Sequence, residues 1–209
     1  MLLALPNSPS SPRSSPTASG LRRLGLLVAA LLATANPGAA QGPLTLEFRG
    51  GWSIPVGDFA KGPESGGAMS TGRSFGARFG LERTPSFDLL LGFSQCKVDC
   101  SLDGCGGDEE WVSTQWELGL RWKGPVASIR PWVSVAAVVP KVERDRPTGT
   151  VSSTVVVGAE IGVGALFQLA DRWFLTPGVR YSSYSPDFKP TGNAPMRWAV
   201  VQMGLLISF

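Results

Sequence analysis

Beyond Gln41, apolar and polar residues alternate along most of the chain with a period of two. That spacing puts successive side chains on opposite faces of a β-strand. It is clearest in the last fourteen residues, 196–209. Ala199, Val201, Met203, Leu205, Ile207 and Phe209 share one face; Trp198, Val200, Gln202, Gly204, Leu206 and Ser208 share the other. The first face is wholly apolar, and the second mixes polar and very small residues. Seven earlier segments alternate in the same way: 44–52, 73–83, 87–97, 111–122, 128–139, 154–167 and 173–184. No helical period runs beyond two turns. Pro131 and Pro177 interrupt two segments, each removing one ladder donor. A strand of about ten residues with one fully apolar face suits a tilted crossing of a bilayer. The competing reading is a soluble β-protein that buries the same face.

The connections separate these readings. Residues 84–86, 123–127 and 169–172 are short; 53–72, 98–110, 140–153 and 185–195 are long, and the two kinds alternate along the chain. Short turns at one rim and long loops at the other are the habit of transmembrane barrels, whereas a soluble sandwich has no reason for it. The expected fold is therefore all-β, an eight-stranded antiparallel transmembrane β-barrel with up-and-down meander order. Phe87, Trp122, Phe167, Trp173 and Phe209 lie beside short turns or the C-terminus, and Trp52, Phe75 and Tyr181 beside long loops. They read as two aromatic girdles at membrane interfaces.

Charge on the non-lipid face then becomes the candidate chemistry. Glu47, Arg49, Arg78, Glu82, Asp88, Glu117, Arg121, Arg130, Glu160 and Arg180 all fall there, five of each sign. Facing lipid, a mid-membrane Arg would cost roughly 2–4 kcal/mol. Unpaired in a dry lumen, the charges would be costly too. An ionic network filling a narrow eight-stranded barrel follows, with interleaved glycines leaving room for long side chains. The alternative use of the same face is a polar conduit.

The N-terminal region reads as a leader. Arg22-Arg23 precede an apolar run from Leu24 to Ala35, and Asn36-Pro37-Gly38-Ala39-Ala40 offers small residues for cleavage before Gln41. This is the pattern of a secretory signal peptide, too short to span a membrane as a helix. The division expected is 1–40, a Ser/Pro-rich leader and signal peptide, then 41–209, the barrel domain. The first twenty residues make an unusual n-region, which suggests that translation starts nearer Leu21.

Composition changes the picture in two places. The formal charge of +3 rests on Arg13, Arg22 and Arg23; beyond Gln41, 16 basic residues meet 16 acidic ones. The balance gives no pull toward nucleic acid. The chain has no His, which removes the usual general base and any Ser-His-Asp set, so no enzyme is expected. Cys96, Cys100 and Cys105 cluster in one long loop. Export implies an oxidising compartment and one disulfide, with Cys100–Cys105 and Cys96–Cys105 both open. A zinc site would want a fourth ligand, and the nearby Asp99, Asp103, Asp108, Glu109 and Glu110 do not have the spacing of an EF-hand. No metal or cofactor is expected. Residues 141–146 form a charge run, either solvated or in contact with lipopolysaccharide phosphate.

Taken together, the region 41–209 resembles the small OmpA/OmpX-type bacterial outer-membrane β-barrel domains. Gly51-Trp52-Ser53-Ile54-Pro55-Val56-Gly57-Asp58-Phe59 looks like the recurrent entry to the first loop, and the terminal Leu-Leu-Ile-Ser-Phe looks like the closing signal. The resemblance implies Gram-negative outer-membrane localisation, contact with lipid bilayer and lipopolysaccharide, and Phe209 as the assembly signal read by the outer-membrane assembly machinery. It implies an architecture and no activity. The expected function is structural or surface-interacting through extracellular loops whose partner is unknown. A small porin-like conduit is the first alternative, and a secreted lipocalin-like soluble barrel the second.

Overall fold

The computed structural model describes residues 43–61, 69–100, 109–146, 149–188, 192–193 and 195–209. The expected leader, 1–40, lies outside the described residues, as does Cys105. Strand segments follow in chain order: β1 (Leu44–Pro55), β2 (Gly72–Thr84), β3 (Phe87–Asp99), β4 (Glu110–Lys123), β5 (Ile129–Arg146), β6 (Gly149–Ser152), β7 (Gly158–Ala170), β8 (Trp173–Leu175), β9 (Gly178–Tyr184), β10 (Asp187–Phe188), β11 (Gly192–Asn193) and β12 (Met196–Ser208). A 3₁₀ turn, Gly57–Lys61, follows β1.

Eight staves form the wall, because β8 and β9 are two halves of one stave and β6 is a hairpin return on the end of β5. Each stave pairs antiparallel with its chain neighbour, and β1 pairs with β12, so the sheet closes on itself. Closure leaves no open edge in the wall. Partners followed once round the ring from Thr45 are Gly80, Leu90, Gly119, Ala136, Glu160, Ser182 and Trp198. The path returns to β1 at Pro55, ten residues further along. With ordinary strand spacings, that stagger sets a tilt of about 40° and a wall radius of about 8 Å.

The alternation seen in the sequence becomes an inside and an outside. Phe48, Leu91, Val135, Val163 and Met203 are each more than half exposed, on the outer wall. Glu47, Arg78, Asp88, Glu117 and Gln202 sit next to such residues in sequence and are buried in the lumen. Each residue along a stave climbs about 2.5 Å along the barrel axis, and each step to the next stave about 3 Å. On that scale Trp52, Phe75, Trp116 and Tyr181 lie about 16–18 Å above the level of Thr45. Phe87, Trp122, Phe167, Trp173 and Phe209 lie within about 6 Å of it. The aromatic residues thus form two rings around an apolar band, and Trp116 joins the ring at the long-loop rim.

Two boundaries differ from expectation. Residues 140–153 are not one long loop: β5 runs on to Arg146 and returns as β6. The charges there end the apolar pattern without ending the alternation. Val142 still points inward, fully buried, while Lys141 is exposed. Pro177 does break its stave, between β8 and β9. The ladder survives because Thr176 and Gly204 exchange backbone hydrogen bonds at 2.8 and 3.1 Å, and the Pro177 carbonyl accepts from Ala165 at 3.1 Å. Pro131 stays inside β5, and its carbonyl accepts from Gly124 at 2.8 Å.

Glycines open space in the lumen for Trp132. The Trp132 indole, 1% exposed, lies across β7 and β9; a Cβ at Gly178 would stand 2.6 Å from its ring and 2.8 Å from the Val163 carbonyl. Gly178→Ala should therefore lower the unfolding free energy by about 1–3 kcal/mol. The urea midpoint in lipid vesicles, compared with Gly50→Ala on the open outer wall, measures it; equal midpoints would show the ring is not held there.

Candidate functional site

The lumen contains three layers. At the short-turn end, Leu166, Leu206 and Trp132 pack with Phe174. A cavity of about 50 Å³ opens beside them, lined by Glu82, Lys123, Arg130 and Phe174 among others. It has room for a few waters and no more.

The ionic layer begins beside these residues, with Glu82, Arg121 and Lys123 lining the same cavity, and rises through the middle of the lumen. The Lys123 ammonium pairs with Glu82 and Asp88, both at 2.7 Å. Arg121 bridges Asp88 at 2.9 Å and Glu47 at 3.0 Å, and the Thr176 hydroxyl donates to Glu47 at 2.7 Å. Glu117 takes Arg49, then Arg78 at 3.0 Å and Arg180 at 3.7 Å. Glu160 takes Arg78 at 3.2 Å and Arg180 at 2.8 Å, and accepts from Gln115 at 3.1 Å and Ser182 at 2.9 Å. The Arg180 Nε donates to Gln202 at 2.6 Å. Seven of the eight staves contribute to this layer, so no local stretch of chain could build it alone. Charge-assisted bonds of this kind offset much of the large cost of removing ions from water, while Nε and Nη1 of Arg49 and Nη1 of Arg78 have no hydrogen-bond partner among the described residues.

Nine of the ten charged residues expected inside meet in this network. The exception is Arg130. It stands second in β5, at the mouth, and its guanidinium donates to the carbonyls of Pro85 at 2.7 Å and Gly124 at 3.3 Å. It makes no ion pair among the described residues. Lys123 takes its place, keeping five charges of each sign. Extending the alternation of β4 by one residue past Trp122 would have found it. Gln115, Ser182, Thr176 and Gln202 were legible as inward positions, but not as partners.

The third layer was not foreseen. At the long-loop end, Val98, Trp111, Val138, Val142, Tyr184, Met196 and Trp198 form an apolar core inside the barrel mouth. Phe59 from the 3₁₀ turn and Phe188 from β10 close over it. Phe59 meets Trp198 edge-on at 4.8 Å and Trp111 at 5.9 Å, and Phe188 meets Trp111 at 5.6 Å. Arg144 lies over Trp111 at 4.8 Å and holds Glu109 through two bonds of 2.9 Å. The Tyr184 and Ser113 hydroxyls are 2.6 Å apart. The acidic loop is thus partly tied down: Glu109 to Arg144 and Glu110 to Lys97, while Asp103 and Asp108 lie outside the described residues. Cys100 is disulfide-bonded. Cys96 is a free, buried thiol bonded to the Ser74 hydroxyl at 3.4 Å. The alternative of a Cys96–Cys105 bridge therefore does not hold. At the C-terminus the Phe209 amide donates to the Leu44 carbonyl at 2.8 Å, joining the last residue to the first stave.

A closed antiparallel barrel of eight staves with an apolar outer wall and a charged interior is the fold of the small bacterial outer-membrane β-barrels. Among solved structures, Neisserial surface protein A matches with a TM-score of 0.61 at 11% identity, over 79% of this chain and 97% of that one. OprG of Pseudomonas aeruginosa matches with a TM-score of 0.53 at 12% identity, over 79% and 95%. Ail, the attachment invasion locus protein of Yersinia pestis, matches with a TM-score of 0.51 at 11% identity, over 80% and 99%. No protein-family model matches the chain, and no curated protein matches it by sequence.

Two substitutions test the ionic layer. Glu117→Gln leaves three guanidinium groups short of a carboxylate and should cost about 3–5 kcal/mol of stability. Arg130→Gln, at the mouth, should cost less than about 1 kcal/mol. Urea unfolding in vesicles, followed by loss of the heat-sensitive gel mobility of a folded barrel, measures both. Equal losses would show that the layer is not the load shared by the staves.

Proposed function

We propose that this chain is an exported outer-membrane barrel with a structural or surface-interacting role, presenting its long loops outside the cell, and that it does not conduct. The observation that supports this reading is the double filling of the lumen. The ionic layer occupies the middle, and the Trp111–Trp198–Phe59 core closes the long-loop mouth. Either layer alone would obstruct hydrated solutes; together they leave the cavity at the short-turn mouth with no exit. The outer wall supports the membrane setting. Phe48, Leu91, Val135, Ile161 and Met203 are each exposed by half or more, and a band this broad belongs in hydrocarbon and not in water. The soluble, ligand-binding alternative needs an apolar interior, and the middle of this one is ionic. On this reading residues 1–40 direct export, Phe209 presents the closing strand to the assembly machinery, and the outer leaflet is the barrel's nearest partner. The chain does no chemistry.

The test is electrical. The purified protein in planar bilayers should give no ohmic steps, under salt conditions where a porin of known conductance, reconstituted alongside, does. Reproducible unitary steps that scale with salt would overturn the non-conducting reading. A second measurement checks the inward placement of Cys96. A maleimide should leave it unmodified in the folded, unreduced barrel and label it after unfolding. Rapid labelling of the folded protein would mean that water reaches the upper lumen.

A further inference from the structure

The ion pairs of the lumen fall into two groups of opposite net charge. Lys123, Arg121, Glu82, Asp88 and Glu47 pair among themselves, two cations with three carboxylates. Arg49, Arg78, Arg180, Glu117 and Glu160 do the same higher up, three guanidinium groups with two carboxylates. No ion pair joins the two groups among the described residues. A network that balances as a whole thus carries one positive charge in excess in its upper group. All three guanidinium residues there are at most 5% exposed, so water does not screen the excess.

The excess coincides with unused donors. Nε and Nη1 of Arg49, Nη1 of Arg78, Nε2 of Gln202 and the Ser94 hydroxyl are buried without a hydrogen-bond partner among the described residues. They come from β12, β1, β2 and β3, which are consecutive in the wall. Gln202, Arg49 and Arg78 stand about 8–11 Å above Thr45, nearly at one height. Their head groups converge too. Arg49 Nη2 and Arg78 Nε both donate to Oε1 of Glu117. Gln202 accepts from Arg180, whose Nη1 lies 3.7 Å from the other oxygen of that carboxylate. Glycine holds the inward positions around Arg49: Gly76 and Gly204 are its cross-strand partners, and Gly51 follows it on β1. Four of the five unused atoms can only donate. A water among them accepts two bonds but turns its own protons toward guanidinium. An anion accepts from all of them and cancels the excess charge.

We propose that the lumen holds a buried monovalent anion of halide size, bound by Arg49, Arg78 and Gln202. One negative charge balances the upper group, whereas a phosphate or sulfate dianion would overcompensate it. The ion is a fixed part of the filling and leaves the non-conducting reading intact. The site needs the closed barrel and its register, and it does not depend on which membrane holds the barrel.

The experiment follows stability against chloride. The full chain, in phosphatidylcholine vesicles, is unfolded in urea while sodium chloride replaces sodium gluconate at constant total salt, gluconate being too large for the site. An ion held only by the folded barrel is released on unfolding. Above the dissociation constant, the unfolding equilibrium constant should therefore fall about tenfold for each tenfold rise in chloride. Arg49→Gln removes the excess charge and should abolish this dependence. Gln202→Glu keeps the acceptor for Arg180 and supplies a carboxylate in place of the ion. It should fold, lose the dependence and be no less stable than the native barrel at low chloride, and it decides the matter if Arg49→Gln fails to fold. Arg130→Gln, at the mouth, should keep the native dependence. Crystals grown from sodium bromide should show an anomalous scattering peak beside Arg49. A native barrel indifferent to chloride would overturn the proposal, because the two ionic groups would then balance each other. A folded Arg49→Gln or Gln202→Glu barrel with the native dependence would overturn it as well, since the effect would be that of salt on the whole protein. Heat-sensitive gel mobility is read on every variant, and a soluble species without a mobility shift would count against the membrane reading instead.

Discussion

Closure of the hydrogen-bonded ring is the constraint from which the rest of this structure follows. A sheet that faces an apolar medium cannot leave its backbone groups unpaired, so β1 must meet β12. The stagger of ten residues with which they meet sets the tilt, and the tilt sets the width of the interior. A wall of about 8 Å radius, measured at the backbone, leaves an interior that side chains can fill. Every inward position then has to be occupied by something that packs or pairs with what stands across from it. That is why Trp132 lies over Gly178 and why Glu117 is reached by arginines from three other staves.

The interior meets that demand in layers of different chemistry. The ionic layer sits where the outer wall is most apolar, so the barrel is inverted relative to a soluble protein: greasy outside, charged within. Its buried pairs are directional, and four of its five carboxylates have two or more donors. A shifted register would separate them, so the network specifies one pairing of the staves as well as contributing stability. The apolar core at the long-loop mouth works differently. It draws Phe59 and Phe188, from two separate connections, onto inward residues of five staves. Loop segments are thereby packed as extensions of the barrel interior, which gives the outer rim a defined shape on which a surface role could rest.

The alternation of side chains made much of this legible in the chain. It marked the outward faces of all eight staves, because period two survives in any strand whose two sides see different media. It placed nine of ten inward charges for the same reason. Arg130 failed because alternation says which side a residue faces and nothing about depth; at the rim, an inward arginine finds turn carbonyls before it finds acids. The long-loop core was missed on related grounds. Val98, Trp111, Val142 and Met196 are apolar at inward positions, which reads locally as noise in an otherwise polar face. They make sense only when four staves bring them together.

What the sequence determined by itself is the sidedness of each strand, the alternation of short and long connections, and the net neutrality of the interior. These depend on neighbours one or two residues apart, or on counts. What only the tertiary structure decided is which residues share a height. Glu47 and Arg49 stand on one face of one strand, yet one joins the lower group of ion pairs through Arg121 and the other the upper group through Glu117. Height around a closed barrel is set by the stagger accumulated over eight hydrogen-bonded ladders, and no local pattern in the chain carries that sum.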